Sequence, residues 1–210
     1  MTSALPDPVF EPVAQPVLAN LGCGPRAARR PPAHFNGWRQ LRVDADAAVE
    51  PDLVADLCDL SPIASGSVQG VWTSHCLEHL PQRQVGTALG EMRRILSDDG
   101  FACILVPDLQ TIAAIIAGDR LDEPIYISPA GPVSPHDVVF GFGPALERGC
   151  DYMAHRCGFT PSSLKRALSE AGFTHFLLFR RPDYELAAVA HKTGWTSAQE
   201  RDRLIARLGL

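Results

Sequence analysis

Two glycines, Gly22 and Gly24, close the stretch Asn20-Leu21-Gly22-Cys23-Gly24 directly after an apolar run, and such a turn presents backbone N–H groups on a surface free of side chains. A ligand can come close there. About twenty residues on, at the end of the next apolar run, Asp44 is placed to accept hydrogen bonds from both hydroxyls of a ribose. Asp56-Leu57 follows a third run: the aspartate can accept from an adenine amino group while the next backbone N–H donates to the ring. A fourth run leads into Ser74-His75-Cys76-Leu77-Glu78-His79-Leu80, a turn dense in polar groups. Each piece alone is weak, since a Gly-x-Gly turn also serves as a plain tight turn. Polar residues at successive strand ends, aimed at one edge, are more than packing requires.

To bring those ends together the chain needs a sheet whose strands finish on one side. Short apolar runs flanked by turn residues read as strands at 17–21, 41–44, 53–55, 68–73, 102–106, 173–179 and 185–190, as strands buried on both faces should. Between the fourth and fifth, Val85, Leu89, Met92 and Leu96 repeat at helical spacing over 82–96, and Ser97-Asp98-Asp99-Gly100 ends that helix with Gly100 as a left-handed cap. Thr160 caps a second helix over 161–171, with proline in its first turn. Only Arg180-Arg181-Pro182-Asp183-Tyr184 separates the last two strands, a hairpin-length link that makes them antiparallel. The expectation is an α/β fold: a seven-stranded, mostly parallel sheet with one antiparallel strand and helices on both faces. Arg30-Pro31-Pro32 breaks any long helix after the glycine turn, and about eight residues separate the second and third strands. The early helices are therefore abbreviated or the third strand is weak.

Around this core, residues 1–15 form a proline-rich N-terminal arm, 16–194 the domain, and 195–210 a C-terminal helix. That helix opens on Ser197-Ala198-Gln199-Glu200, in the form of a capping box, and presents Leu204, Ile205 and Leu208 on one face. It is expected to pack on the domain or on a second subunit, so a homodimer is possible.

Composition narrows the partners. A 46% apolar, 20% charged chain of 210 residues has the makings of one folded domain, and a formal net charge of -5 argues against a nucleic acid held by bulk charge. The one dense basic group, Arg26, Arg29 and Arg30, reads as a solvated loop. Apolar stretches such as 111–117 fall well short of a membrane span, and there is no leader-like start, so a cytoplasmic protein without membrane contact is expected. The six cysteines read as reduced thiols, with Cys58, Cys76 and Cys103 as small core residues.

The ordered set resembles the class I S-adenosylmethionine-dependent methyltransferases, in particular the small type-11-like group with an Asn-Leu-Gly-Cys-Gly turn and a Ser-His-x-Leu-Glu-His-Leu segment. The likeness runs from about Val17 to Pro107 and resumes at 158–173, where Gly-Phe-Thr leads a helix ending in Ala-Gly-Phe. It implies a Rossmann-like fold and transfer of a methyl group from S-adenosylmethionine to a small-molecule acceptor. It also implies that Asn20, Gly22, Cys23 and Gly24 approach the methionine part of the cofactor, Asp44 holds the ribose, Asp56 with Leu57 holds adenine, and Ser74 with His75 lines the methyl end. The chain departs from the family at Asn20, usually acidic, and at Arg26, often a third glycine.

Residues 108–160 form a long insertion over the carboxyl edge, suited to a substrate lid. His136, Tyr152, His155 and Arg156 are expected to line the acceptor pocket. His75, His136 and His155 are then the imidazoles that could act on the acceptor, and Tyr152 and Arg156 the groups that hold it. His79 reads as a structural histidine closing its turn, and Glu78 as a local pair at the start of a helix. A metal site from Cys150, His155 and Cys157, with His136, matches no common zinc spacing, so no metal is expected. Two other readings remain: a nicotinamide-dependent oxidoreductase or epimerase, whose Gly-x-Gly-x-x-Gly fails at Ala27, and a non-catalytic cofactor-binding or scaffolding subunit.

Overall fold

The structure is a computed structural model that describes residues 15–26 and 30–210. The arm at 1–14, and Ala27 and Arg29, lie outside the described residues.

Strand β1 (Val17–Leu21) leads through a single 3-10 turn, Ala33–Phe35, to β2 (Arg39–Asp44), and a second such turn, Ala47–Val49, leads to β3 (Leu53–Val54). Among the described residues, no α-helix precedes β4 (Val68–Ser74). The abbreviation expected from Pro31-Pro32 and the short second link is thus present, and β3 is weak, pairing only Val43 with Leu53 and Asp44 with Val54. Helix α1 (Gln82–Ile95) buries Val85, Leu89, Met92 and Ile95 and runs straight into β5 (Leu96–Pro107).

Gly100 is not a left-handed helix cap, because it is not among the residues with positive φ. The strand resumes at once, and a register shift between Val68 and Gly70 against Leu96 and Phe101 absorbs the extra residues. Glycine is needed there for space: a Cβ would lie 3.0 Å from both the Leu96 side chain and the Ser97 carbonyl.

The insertion begins with α2 (Leu109–Ile116), continues through the hairpin β6 (Tyr126–Ser128) and β7 (Gly131–Val133), and adds α3 (Pro135–Phe140) and a single turn, α4 (Gly143–Leu146). It has a small core of its own around Ile112, Val133 and Val138. Buried Asp108 ties down its start, accepting from the Gln110 N–H (3.1 Å) and the Thr111 hydroxyl (2.7 Å), while a bridge between Asp108 and Phe159 brings its two ends side by side. Thr160 then caps α5 (Pro161–Glu170) in a capping box with Ser163, followed by β8 (His175–Arg180), β9 (Glu185–His191) and α6 (Ala198–Leu208).

The seven strands of the main sheet are ordered β3-β2-β1-β4-β5-β9-β8, with β9 antiparallel to both neighbours and all other pairings parallel. One face is covered by α1 and α5, whose Leu89, Met92, Leu164 and Leu168 are fully buried. The other face carries Phe35, Trp72, Phe101 and Leu208, with Trp38 and Trp195 against them, so α6 packs on its own sheet. Each fully buried large apolar side chain contributes roughly 1.5–3 kcal/mol relative to exposure. The two clusters therefore clamp the sheet from both sides and fix the level of the strand ends.

Candidate functional site

Because β3, β2, β1 and β4 are adjacent and parallel, their carboxyl ends share one edge. Leu21 stands level with Val43 on one side and Thr73 on the other, and Asp44 with Val54. The glycine turn, Asp44, Asp56 with Leu57, and Ser74 with His75 are brought together there, as the sequence order implied. Gly22 has φ +63° and Gly24 φ +57°. A Cβ on Gly22 would sit 2.2 Å from the Cys76 Sγ, so the glycine turn and the turn after β4 touch where only a hydrogen fits. Asn20 is buried in β1, and the Cys23 N–H donates to the Val43 carbonyl at 3.1 Å. Burial raises the Cys23 thiol pKa.

Asp44 organises the edge through both oxygens. Oδ2 accepts from the Gly24 N–H at 2.8 Å and Oδ1 from the Asp46 N–H at 3.0 Å, leaving each oxygen further lone-pair capacity for a diol. Asp56 is exposed, with Oδ1 accepting from the Cys58 N–H at 2.7 Å, while the Leu57 side chain turns into the core. Sequence reasoning missed Arg42. Its buried guanidinium donates to the Gly24 carbonyl (2.6 Å) and the Glu50 carbonyl (2.7 Å), lashing the glycine turn to the loop after β2. The signal was available: an arginine in the apolar end of a central strand demands buried partners.

A sulfonium nucleoside fits these residues. The turn is shaped for close backbone approach, the carboxylate at the end of β2 is fixed with capacity to spare, and the Ser74 Oγ is buried with no partner among the described residues. A buried hydroxyl without a partner carries a desolvation cost that a bound ligand would relieve.

His75 follows Ser74 in the left-handed region, at φ 52°. Its Nδ1 faces the Glu78 Oε1 at 3.2 Å and its Nε2 the Glu185 Oε1 at 2.6 Å. Burial opposes charge on the ring, but the bonds from Glu185 and Glu78 outweigh it and lift the pKa to about 9. Burial likewise opposes charge on Glu78, and the His75 bond outweighs it, holding that carboxyl below its usual range. With both nitrogens facing carboxylates, His75 has no lone pair to offer an acceptor; a general-base role does not fit, and the ring instead positions the turn. Glu185 was missed in the sequence, although an acid opening the otherwise apolar run Leu-Ala-Ala-Val-Ala was a usable signal.

Beyond His75 lies a cavity of about 240 Å³ between the ends of β4 and β5 and the insertion. His79, His155, Tyr126, Tyr184, Val138 and Phe142 are among its walls, with Tyr126 and Tyr184 stacked at 6.2 Å. His79 Nδ1 donates to the Ala154 carbonyl (3.2 Å) and His155 Nδ1 to the Val138 carbonyl (2.7 Å), so each ring pins the insertion down. Burial lowers the pKa of His155. Of the four residues expected to line an acceptor pocket, His155 alone does so. His136 is exposed at the first turn of α3, where its ring packs on Phe140 at 4.9 Å. Tyr152 is 72% exposed on a 3-10 turn, and Arg156 points to solvent while its N–H donates to the Glu78 carbonyl. Local polarity located that stretch, but the face each residue presents follows from the insertion's short turns.

The methyltransferase domain family matches residues 20–104. No curated protein matches the chain significantly. Among solved structures, the chain is similar to the 1,6-didemethyltoxoflavin-N1-methyltransferase of Burkholderia thailandensis with bound 1,6-didemethyltoxoflavin and S-adenosylhomocysteine, at 20% identity over 85% of this chain and 72% of that one, with a TM-score of 0.51. A SAM-dependent methyltransferase from Archaeoglobus fulgidus is similar at 14% identity over 84% and 86%, with a TM-score of 0.53. One from Methanosarcina mazei is similar at 12% identity over 84% and 92%, also at 0.53. At these identities the likeness is one of fold. Among the described residues, no helix is long and apolar enough to cross a membrane.

Proposed function

We propose that the chain is a class I S-adenosylmethionine-dependent methyltransferase that methylates a small acceptor seated in the cavity between His75 and the insertion. One observation carries the reading: His75 belongs to both places, directly following β4 beside the glycine turn and lining the cavity. When bound, the cofactor supplies an electrophilic methyl group on a positive sulfonium. Asn20, Gly22, Cys23 and Gly24 would hold its methionine part, Asp44 the ribose, Asp56 with the Leu57 N–H the adenine, and Ser74 with the backbone of His75 the methyl end.

The protein's task is then to hold nucleophile and methyl in line and keep water out. The size and mixed walls of the cavity, apolar at Val133, Val138 and Phe142 and polar at Asp137 and Tyr184, suit a compact acceptor with one polar edge. The small acceptor bound in the Burkholderia enzyme supports the same reading.

Calorimetry with S-adenosylhomocysteine tests the cofactor side. Binding by the native chain and its loss in the Gly24→Val, Asp44→Ala double variant are expected. Absent binding, or undiminished binding by the double variant, sinks the assignment. Release of label from methyl-labelled cofactor in the presence of an acceptor extract tests turnover.

A further inference from the structure

We propose that Glu78, His79 and His155 form a binding site for one divalent first-row metal ion, zinc foremost, on the floor of the acceptor cavity. One ligand atom from each residue lies within 4.8 Å of the other two. The spacing of Cys150, His155 and Cys157 gave no reason to expect this, because the ligands come from two segments some 75 residues apart, brought together by the insertion.

The chemistry of the donor set is specific. Both rings donate Nδ1–H to a backbone carbonyl, His79 to Ala154 and His155 to Val138, so the atom each has left to offer is Nε2. Ligating histidines are oriented in this way, the second nitrogen donating to a carbonyl or carboxylate. Glu78 supplies the independent sign. It is 1% exposed, its Oε1 is taken by His75, and its Oε2 is buried without a partner among the described residues. A carboxylate oxygen in that position is costly unless something compensates it. Ligand atoms within 4.8 Å of one another are already near an ion's spacing: with bonds near 2.0–2.1 Å, tetrahedral ligands stand about 3.3 Å apart, which modest side-chain rotation reaches.

The frame is stiff. The Arg156 and Cys157 N–H groups both donate to the Glu78 carbonyl, the His155 N–H to the Phe140 carbonyl, and the Cys157 thiol to the Leu77 carbonyl at 3.3 Å. Two imidazoles and one carboxylate leave a coordination position open, the composition of catalytic rather than closed structural zinc sites. His79 and His155 both line the cavity, so an ion held by them would stand at its wall. An acceptor hydroxyl or similar oxygen could bind there with its pKa lowered, a role that rests on the methyl-transfer reading, whereas metal binding itself does not.

The test uses the full chain, free of any affinity tag and stripped with chelator. Titrated with Zn²⁺, it is expected to bind one equivalent with micromolar or tighter affinity. His79→Ala and His155→Ala should each weaken that binding at least 100-fold while leaving S-adenosylhomocysteine affinity within about threefold, and a Cys150→Ser, Cys157→Ser double variant should bind as the native chain does. X-ray absorption of the native zinc complex, which needs no variant to fold, should show nitrogen and oxygen scatterers with imidazole outer shells. No stoichiometric binding by a chain that binds S-adenosylhomocysteine, zinc affinity untouched by His155→Ala, or sulfur in the first shell would each overturn the proposal. Loss of S-adenosylhomocysteine binding by the native chain would instead count against the cofactor assignment.

Discussion

Gly22→Ala is the smallest change that should damage both the fold and the edge proposed to hold the cofactor. The added Cβ would stand 2.2 Å from the Cys76 Sγ and 2.9 Å from its Cβ. Carbon atoms attract at about 3.5–4.0 Å, so the two turns must separate by roughly 1.3 Å or more. The backbone conformation adds its own cost, since φ +63° is in the left-handed region, where a side chain costs about 1–2 kcal/mol. Overpacking of a tight site adds about 1–3 kcal/mol. Together these predict a loss of about 2–5 kcal/mol, measurable as a lower urea midpoint with an unchanged slope. The movement occurs between the glycine turn and the turn bearing Ser74 and His75, so S-adenosylhomocysteine should also bind at least tenfold more weakly by calorimetry. Adding Cys76→Gly removes both clashing atoms, and the pair should show favourable coupling of about 1 kcal/mol or more in a double-mutant cycle, the left-handed cost remaining. If Gly22→Ala melts within about 0.5 kcal/mol of the native chain, or the cycle shows no coupling, the contact between the two turns is not what demands glycine.

Other perturbations probe the supports of the site. Arg42→Met should lower stability by about 1–3 kcal/mol and weaken S-adenosylhomocysteine binding, because the Gly24 and Glu50 carbonyls lose a charged donor; Arg42→Lys should rescue little, lacking the two-pronged fork. Native-like affinity in the lysine variant would contradict that. Leu208→Ala, in the face that α6 buries against Trp72 and Phe101, should cost about 2–4 kcal/mol in urea unfolding; near-neutrality would mean that α6 is not part of the sheet's packing. Asp137 accepts from the Ser134 and Gly143 N–H groups at 2.8 Å each, and although burial opposes its charge these bonds outweigh it and hold the carboxyl below its usual range. Its folded pKa lies below the unfolded value, so the stabilisation is present above the unfolded pKa of about 3.9 and lost as pH falls through the folded value. Urea unfolding followed from pH 7 into that acid range should therefore lose less stability in Asp137→Asn than in the native chain, and parallel curves would refute the assignment.

The parallel half of the sheet was legible because its signals are local. Val17 to Leu21 followed by Gly22, or Leu41 to Val43 followed by Asp44, need only one strand and its turn to be read correctly, and the observed β1 to β4 stand where those runs end. Gly100 shows the limit of that logic. A glycine after a helical run suggests a left-handed cap, yet the chain enters a strand at once, and glycine is kept by the closeness of Leu96 and the Ser97 carbonyl. Such a demand is set by tertiary approach and leaves no trace in the spacing of neighbouring residues.

The cavity under the insertion was less legible for a related reason, and the histidines show why. His136 and His155 look alike in sequence, each beside polar residues in the insertion, but which of them reaches the cavity is decided by backbone bonds between distant segments. The Arg156 and Cys157 N–H groups both seek the Glu78 carbonyl, and this double anchor turns His155 inward beside His79, where their rings meet edge to face at 4.9 Å. His136 opens α3, whose capping box spends Ser134 and Asp137 on local bonds and leaves the imidazole on the outer surface. The same anchor explains why Glu78 is buried at all. The returning insertion encloses it, so the acid expected to make a local pair makes one with His75 and also faces His79 and His155. The segment Ser74 to His79 therefore serves two purposes that pull on one turn: its first residues complete the edge of the sheet proposed for the cofactor, and its last form the floor on which the insertion is built.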